Sequence, residues 1–231
     1  MAEFRRPVVS TLVSRMNETR RYIQMLIGPR QTGKSTAIRQ ALEQVDLPRH
    51  IALASIDSSS RDWLRAQWVQ ARNLVTPDSP SALLVIDEVQ LVDQWSAAVK
   101  ELWDEDAWSG IDLRVMLSGS SSPLMQKGLT EGLTGRFEVI RSTHWSFAEC
   151  REAFGYTLDE FLCFGGYPGS APLRQDQQRW LAYMNDSVID PSIAKDVIAL
   201  DAVRKPALMR KLFQIGAPYS GQELSYRKIL G

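Results

Sequence analysis

A phosphate-binding loop is predicted by consecutive residues of fitting type and spacing. They run Gly28-Pro29-Arg30-Gln31-Thr32-Gly33-Lys34-Ser35, which fits G-x-x-x-x-G-K-[ST], and Thr36 follows directly. The glycines permit a tight turn that directs several backbone N–H groups at one anion, and a helix beginning at the loop's end adds its positive dipole. The lysine offers a point charge to the β- and γ-phosphates, and the serine hydroxyl can ligate Mg²⁺. The loop therefore predicts binding of a nucleoside triphosphate with Mg²⁺.

Two acidic residues follow the apolar run at 83–86. In open α/β sheets, ligands bind beyond the carboxyl ends of the strands, so Asp87 and Glu88 are expected to face the loop. Asp87 is predicted to hold Mg²⁺ through its water shell. Glu88 is predicted to orient and activate the water that attacks the γ-phosphate. A helix N-cap formed by Asp87 is the alternative, which the pattern alone leaves open.

The sequence around these residues alternates between predicted strands and predicted helices. An apolar run at 22–27 precedes the loop, and apolar residues at helical spacing follow it at 37, 38, 41, 42 and 45. Further strands are predicted at 50–54, 82–86, 113–117 and 136–140, with an amphipathic helix over 95–103. This alternation predicts an α/β fold, a three-layer sandwich with a parallel sheet covered on both faces.

Two more positions are candidates for contact with the nucleotide. The strand at 113–117 ends in a serine-rich segment, where Ser120, or as second choice Ser118, is predicted to sense the γ-phosphate and help place the water. A plain strand-to-helix turn explains these serines nearly as well. Arg136 precedes the last strand, and an ion-paired surface arginine is its default interpretation.

Composition excludes several other classes of protein. The chain has 231 residues with 27 basic and 27 acidic side chains, so nothing indicates a permanently basic nucleic-acid surface. Cys150 and Cys163 form no C-x-x-C pair, which argues against a disulfide scaffold or a cysteine zinc site and favours a reducing cytoplasm. His50 and His144 are expected at a strand end or on the surface. With no membrane-spanning run and no signal peptide, a soluble cytoplasmic protein is expected.

Five motifs occur in the order typical of prokaryotic AAA+-type ATPases. They are GPRQTGKST, LLVIDEVQ, LSGSSS, LTGRFEVI followed by WSFAE, and FGGYPG. Over about residues 5–200 the chain resembles this family, and in particular the bacterial and archaeal ATP-binding proteins that carry a C-terminal domain of unknown function. The resemblance implies Mg²⁺-dependent ATP hydrolysis and a sensor strand lying between the loop strand and the strand of Asp87. It also implies sensor 1 at Ser120 and an arginine finger at Arg136.

Beyond residue 143, helical patterns replace the alternation. Ser146 and Thr157 each open an S/T-x-x-E capping box. Gly166 and Pro168 match the G-x-P motif of related signal-transduction ATPases, whose proline lies close to the nucleotide, although a helix stop explains them about as well. The predicted domains are a P-loop core at 1–145, a helical lid at 146–203, and the start of a truncated winged-helix-like segment at 204–231. Helices are expected at 206–213 and from 220 to 230.

Two functions remain open at this level. One is an ATP hydrolase whose cycle moves the lid and an effector, and the other is a nucleotide-dependent binding switch with little turnover. A small-molecule kinase fits less well, because the acid pair followed by a sensor strand suits attack by water. A homo-oligomer is possible, and a protein or nucleic-acid partner is expected through the missing C-terminal region. Trp63 and Trp68 could stack on single-stranded nucleic acid, but packing of their helix onto the sheet is favoured.

Overall fold

The structure is a computed structural model that describes residues 4–55, 60–120, 123–193, 206–219, 221–223 and 225. Contacts divide the chain into two compact units, Met1–Arg174 and Gln175–Gly231. The first unit therefore includes part of the segment that the sequence assigns to the lid.

Five parallel strands form the centre of the first unit. They are β1 Ile23–Gly28, β2 Arg49–Leu53, β3 Ser81–Asp87, β4 Asp112–Ser120 and β5 Phe137–Arg141, in the order β2-β3-β4-β1-β5. The predicted parallel sheet is confirmed, and so is a strand (β4) between the loop strand and that of Asp87. β4 extends beyond the predicted 113–117 because Ser118 and Ser120 still pair with Leu26 and Gly28 of β1.

Helices cover both faces of the sheet, as the alternating pattern predicts. One face packs on α1 Pro7–Asn17 and α2 Lys34–Leu42, and the other on α3 Arg61–Arg72, α4 Trp95–Ser109 and α5 Pro123–Gly132. Successive β1 side chains point to opposite faces, so Leu26 joins the first layer and Met25 the second. The α1 helix was not predicted from the sequence, although its buried Val9, Leu12 and Met16 have helical spacing.

Two short helices complete the first unit beyond the sheet. They are α6 Phe147–Phe154 and α7 Leu158–Phe164, and a 3₁₀ turn Pro168–Leu173 follows. Both predicted capping boxes are present: Ser146 with Glu149, and Thr157 with Glu160, exchange reciprocal side-chain and backbone hydrogen bonds. These caps satisfy backbone donors that each helix start would otherwise leave unpaired.

The second unit is helical where it is described. It contains α8 Gln177–Tyr183, which continues as the π-helix Met184–Ile189, then α9 Pro206–Gly216 and a 3₁₀ turn Ala217–Tyr219. The helix expected over 206–213 is part of α9. Of the helix expected from 220 to 230, the structure describes residues 221–223 and 225, which are not helical, and the other residues lie outside the described part of the chain. Among the helices that the structure describes, none combines the length and apolar character needed to cross a membrane.

Candidate nucleotide site

The predicted phosphate-binding loop connects β1 to α2 at the carboxyl edge of the sheet. It begins at Gly28, where a Cβ atom would clash with the carbonyl oxygen of Ser142, so only glycine fits. It ends at Gly33, whose φ of 84° lies in the left-handed region, directly before α2 begins at Lys34. The loop residues thus meet the first turn of a helix, an arrangement that favours anion binding.

Within the loop, the Lys34 ammonium and the Thr32 side chain are turned inward. Lys34 Nζ donates to the carbonyl oxygens of Gly28 at 3.1 Å and Pro29 at 2.7 Å, and the residue is 6% exposed. Thr32 is fully buried, and its hydroxyl donates to the Pro29 carbonyl oxygen at 3.0 Å. The lysine charge therefore lies inside the turn, next to the backbone that would hold phosphate.

Asp87 connects the loop helix to two neighbouring strands. Its Oδ2 accepts a hydrogen bond from Ser35 Oγ at 2.5 Å, and its Oδ1 accepts from Ser118 Oγ and from the Glu88 backbone N–H. The 3₁₀ turn that follows has Glu88 as its N-cap, without a side-chain capping bond, so the alternative role of Asp87 as a helix cap is not observed. The fold thus brings together Ser35 and Asp87, which are 52 positions apart in the sequence.

The donor set at Ser35 and Asp87 fits Mg²⁺. A hydroxyl and a carboxylate are hard oxygen ligands, and Mg²⁺ usually takes one or two carboxylates, several waters and substrate phosphates. Among the described residues, no group of three or more His, Cys, Asp and Glu side chains could hold a metal. A magnesium ion here would therefore complete its shell with phosphate oxygens and water.

Glu88 occupies a strained position next to Asp87. Its φ of 57° and ψ of 37° are left-handed, which is unusual for a residue other than glycine. Its carboxylate accepts a hydrogen bond from Gln90 Nε2, which also lies 3.4 Å from Ser120 Oγ. The two serines of β4 thus differ in their contacts: Ser118 donates to Asp87, whereas Ser120 lies next to Gln90, which contacts Glu88.

An open cavity of about 970 Å³ adjoins the phosphate-binding loop. Its lining includes Phe4, Gly33, Thr36, Trp145 and Pro168. The predicted site residues Thr36 and Pro168 therefore line one cavity, although 132 positions separate them in the sequence. Aromatic walls next to a phosphate-binding turn are the kind of surface on which a nucleobase can stack.

Comparison with known proteins agrees with this geometry. The model of the family described as AAA domain (AAA_14) matches residues 20–151, which is more than half of the chain and contains the loop, the acid pair and β4. The chain belongs to this family. A second model, described as a domain of unknown function (DUF8612), matches residues 155–231. The resemblance to ATPases with a C-terminal domain of unknown function is confirmed.

The other comparisons add little to the family assignment of this AAA domain. No curated protein matches the sequence. A similar solved structure is the crystal structure of Cdc6p from Pyrobaculum aerophilum, with a TM-score of 0.47 and 13% identity. The match covers 63% of this chain and 46% of that one, so the chain matches less than half the length of this neighbour.

Sequence reasoning missed Arg6, which connects α6, the phosphate-binding loop and the segment directly after β5. This arginine is 6% exposed, and its Nε donates to Glu149 Oε1 at 2.7 Å. Its other nitrogens donate to the Thr32 carbonyl oxygen, Ser142 Oγ and the carbonyl oxygens of Thr143 and His144. A lone arginine before a helix gives no sequence signal for this role, because its partners lie 26 to 143 positions away.

Trp145 holds the phosphate-binding loop at the same point as Arg6. Its Nε1 donates to the Thr32 carbonyl oxygen at 3.0 Å, and its ring lies 5.2 Å from the Arg6 guanidinium. Burial alone would raise the pKa of the Glu149 carboxyl, but hydrogen bonds from Arg6 and Ser146 outweigh burial, so this pKa lies below its usual value. The ionised pair stabilises the contact between the loop and α6.

Arg136 lies at the opposite edge of the sheet from the loop of its own chain. Its carbonyl oxygen accepts from the Ile23 N–H at the amino end of β1, and its guanidinium forms a bidentate pair with Asp104 at 2.8 and 3.0 Å. A strand rises about 3.3 Å per residue, and the whole of β1 separates Arg136 from Gly28. This position provides no contact with the nucleotide of its own chain, and a role at a neighbouring chain's nucleotide stays a prediction.

The tryptophans of α3 pack inward. Trp68 is fully buried and donates from Nε1 to Asp106 Oδ2 at 2.8 Å, and Trp63 is partly buried against the same core. The packing interpretation of this segment therefore fits the structure, and Trp68 presents no ring for base stacking.

Proposed function

We propose that this AAA domain hydrolyses ATP with Mg²⁺. The observation that carries the proposal is the Ser35–Asp87 hydrogen bond, with Glu88 as the next residue. It joins the phosphate-binding loop to an acid pair at the carboxyl edge of one sheet, where open α/β folds bind their ligands.

Each residue has a separate task in this reaction. The loop N–H groups and Lys34 hold the β- and γ-phosphates. Ser35 and Asp87 would hold Mg²⁺, which when bound would supply positive charge next to the phosphate oxygens. Glu88 orients a water whose oxygen bonds to the γ-phosphorus as the bond from that phosphorus to the β,γ-bridging oxygen breaks. The water's proton passes to the Glu88 carboxylate, ADP leaves with the bridging oxygen, and the proton later moves to phosphate or solvent.

The cavity next to the loop favours a role for the lid segment in binding the base. Phe4 and Trp145, whose ring centroids are 5.5 Å apart, provide aromatic surface for an adenine ring, and Pro168 lines the same cavity. In this proposal, binding and release of the nucleotide move the segment that carries Pro168. That motion is transmitted to an effector, either another copy of the chain or a protein or nucleic-acid partner.

Two substitutions separate binding from chemistry. Lys34→Ala is expected to abolish or greatly weaken binding of a fluorescent ATP analogue, because it removes a charge directed at the phosphates. Its control is Lys100→Ala, which removes an exposed lysine of α4. Unchanged affinity in Lys34→Ala would overturn the assignment of the loop.

Glu88→Gln is expected to leave ATP binding intact while phosphate release falls by about 10²-fold or more. Its control is Glu18→Gln, at an exposed glutamate beyond α1. If the wild-type protein binds ATP but releases no phosphate, the alternative function, a nucleotide-dependent switch, replaces the hydrolase.

A further inference from the structure

Gln90 is a buried residue with no part in the reaction described above. It lies in the 3₁₀ turn Val89–Leu91 after β3 and is 7% exposed. Its Nε2 donates to Glu88 Oε2 and lies 3.4 Å from Ser120 Oγ. A primary amide nitrogen has two protons, so it can serve both acceptors at once.

The Gln90 side chain is held there at an energetic cost. Its Oε1 is buried and accepts no hydrogen bond from the residues that the structure describes. A buried acceptor without a partner loses its hydration and gains nothing in return, so it requires an explanation in a folded protein. The left-handed backbone of Glu88, which is unfavourable for a residue other than glycine, is at the start of the same turn.

The end of β4 is shaped around this amide. At Gly119 a Cβ atom would clash with Gln90 Oε1 and with the end of Met125. No positive φ requires glycine at this position, so it is the approach of neighbouring side chains that excludes larger residues. Gly119 lies between Ser118, which contacts Asp87, and Ser120, which contacts Gln90.

We propose that Gln90 is a positioning residue for hydrolysis, which ties the Glu88 carboxylate to β4 and leaves its other oxygen directed at the attacking water. Among the described residues, Gln90 provides the only hydrogen bond to this carboxylate. Glu88 Oε2 is fixed by the amide, so Oε1 is the atom that accepts the proton. Ser120 then transmits the position of β4 to Glu88 through Gln90. This inference rests on the proposed function, since it needs Glu88 to act on water.

The test is a double-mutant cycle on steady-state ATP hydrolysis. Gln90→Met keeps the length of the side chain but removes the donor, so we expect kcat to fall by about tenfold or more while nucleotide affinity is unchanged. In a Glu88→Gln background the same change should have no further effect, because the group through which Gln90 acts is already lost. A merely structural defect would lower the rate by the same factor in both backgrounds.

Gly119→Ala provides an independent variant, because its methyl group would displace the Gln90 amide without changing Gln90. It should reproduce the loss in kcat, and it carries the same cycle if Gln90→Met fails to fold. The matched control is Gln24→Met, which removes another buried glutamine whose amide donates to a glutamate, Glu138, near the far end of β1. The control should hydrolyse ATP at the wild-type rate.

The outcomes separate this inference from the proposed function. A wild-type protein that releases no phosphate refutes hydrolysis itself, and the role of Gln90 with it. If the wild type hydrolyses ATP and Glu88→Gln does not, hydrolysis stands, and a wild-type kcat in Gln90→Met overturns the positioning role alone. The positioning role would also be overturned if Gln90→Met lowered kcat by the same factor in the wild-type and Glu88→Gln backgrounds.

Discussion

Replacing Arg6 with methionine is expected to destabilise the AAA domain strongly. The Arg6 and Glu149 side chains are only 7% and 13% exposed, and removing one partner of such a pair leaves an uncompensated charge, at a cost of about 3–5 kcal/mol. The Glu149 carboxylate keeps two donors from Ser146, at 2.8 and 2.9 Å, so we expect the lower end, about 3 kcal/mol. In a domain of this size that corresponds to a fall in Tm of about 6–12 °C.

Equilibrium urea unfolding measures this loss, and Arg5→Met is the matched control. Arg5 also pairs with a glutamate, Glu43, but both side chains are about half exposed, and such pairs contribute about 0–1 kcal/mol. If Arg6→Met is no more destabilising than Arg5→Met, the buried pair does not stabilise the domain as argued. Adding Glu149→Gln to Arg6→Met should recover part of the stability, because a neutral amide needs no counter-charge.

The same substitution should also weaken nucleotide binding. Arg6 and Trp145 both donate to the carbonyl oxygen of Thr32 in the phosphate-binding loop. Losing the charged donor removes about 1.5 kcal/mol that holds the loop in its binding conformation. Because ADP binding must then supply this free energy, we expect about tenfold weaker ADP binding in a fluorescence titration. Unchanged affinity in a folded Arg6→Met variant would show that the loop does not depend on this contact.

The stabilising effect of the pair should depend on pH in a defined direction. The pKa of Glu149 in the folded protein lies below its ordinary value of 4.5, because the Arg6 and Ser146 hydrogen bonds outweigh burial. Such a group stabilises the fold above the ordinary pKa, and the contribution disappears as pH falls through the lower folded value. The stability difference between wild type and Arg6→Met should therefore be full at neutral pH and shrink below about 4.5.

Two further predictions concern the far side of the sheet. Asp106→Ala leaves the Arg72 guanidinium without its buried partner, so urea unfolding should show a loss of about 3 kcal/mol, while Asp106→Asn should lose less because it keeps an acceptor. Arg136→Ala should bind ATP but hydrolyse it at least about 10³-fold more slowly if the guanidinium acts at a neighbouring chain, and mixing it with Glu88→Gln should restore part of the activity. Failure of proven mixed assemblies to regain activity would contradict action between chains, and an equal loss in Asp104→Ala would point to the ion pair instead.

Local sequence was enough to predict the phosphate-binding loop and the general fold. The loop at 28–36 consists of consecutive residues. Its turn and the start of its helix depend on the backbone preferences of those residues alone, so they can be predicted locally. Placing Asp87 and Glu88 near the loop required only the apolar run before them and the general rule that ligands bind beyond the carboxyl ends of parallel strands. The capping boxes at Ser146 and Thr157 are likewise contained within four residues.

Contacts between distant segments could not be predicted in this way. The sequence favoured Ser120 over Ser118, and these residues differ by two positions on the same face of β4. The register between β3 and β4 decides that Ser118 contacts Asp87 whereas Ser120 contacts Gln90. A register is fixed by packing of the entire sheet, so a single strand contains no signal for it.

Neighbouring residues or a regular period encode the phosphate-binding loop, the acid pair and the parallel sheet, so these features could be predicted without a structure. The side chains that hold the site in place are known only from the folded contacts. Arg6 contacts the loop and Glu149 across 143 positions, Gln90 fits beside Gly119, and Arg136 lies far from its own loop. Such contacts exist only after the chain has folded, when burial strengthens hydrogen bonds and ion pairs that water would weaken in the unfolded chain.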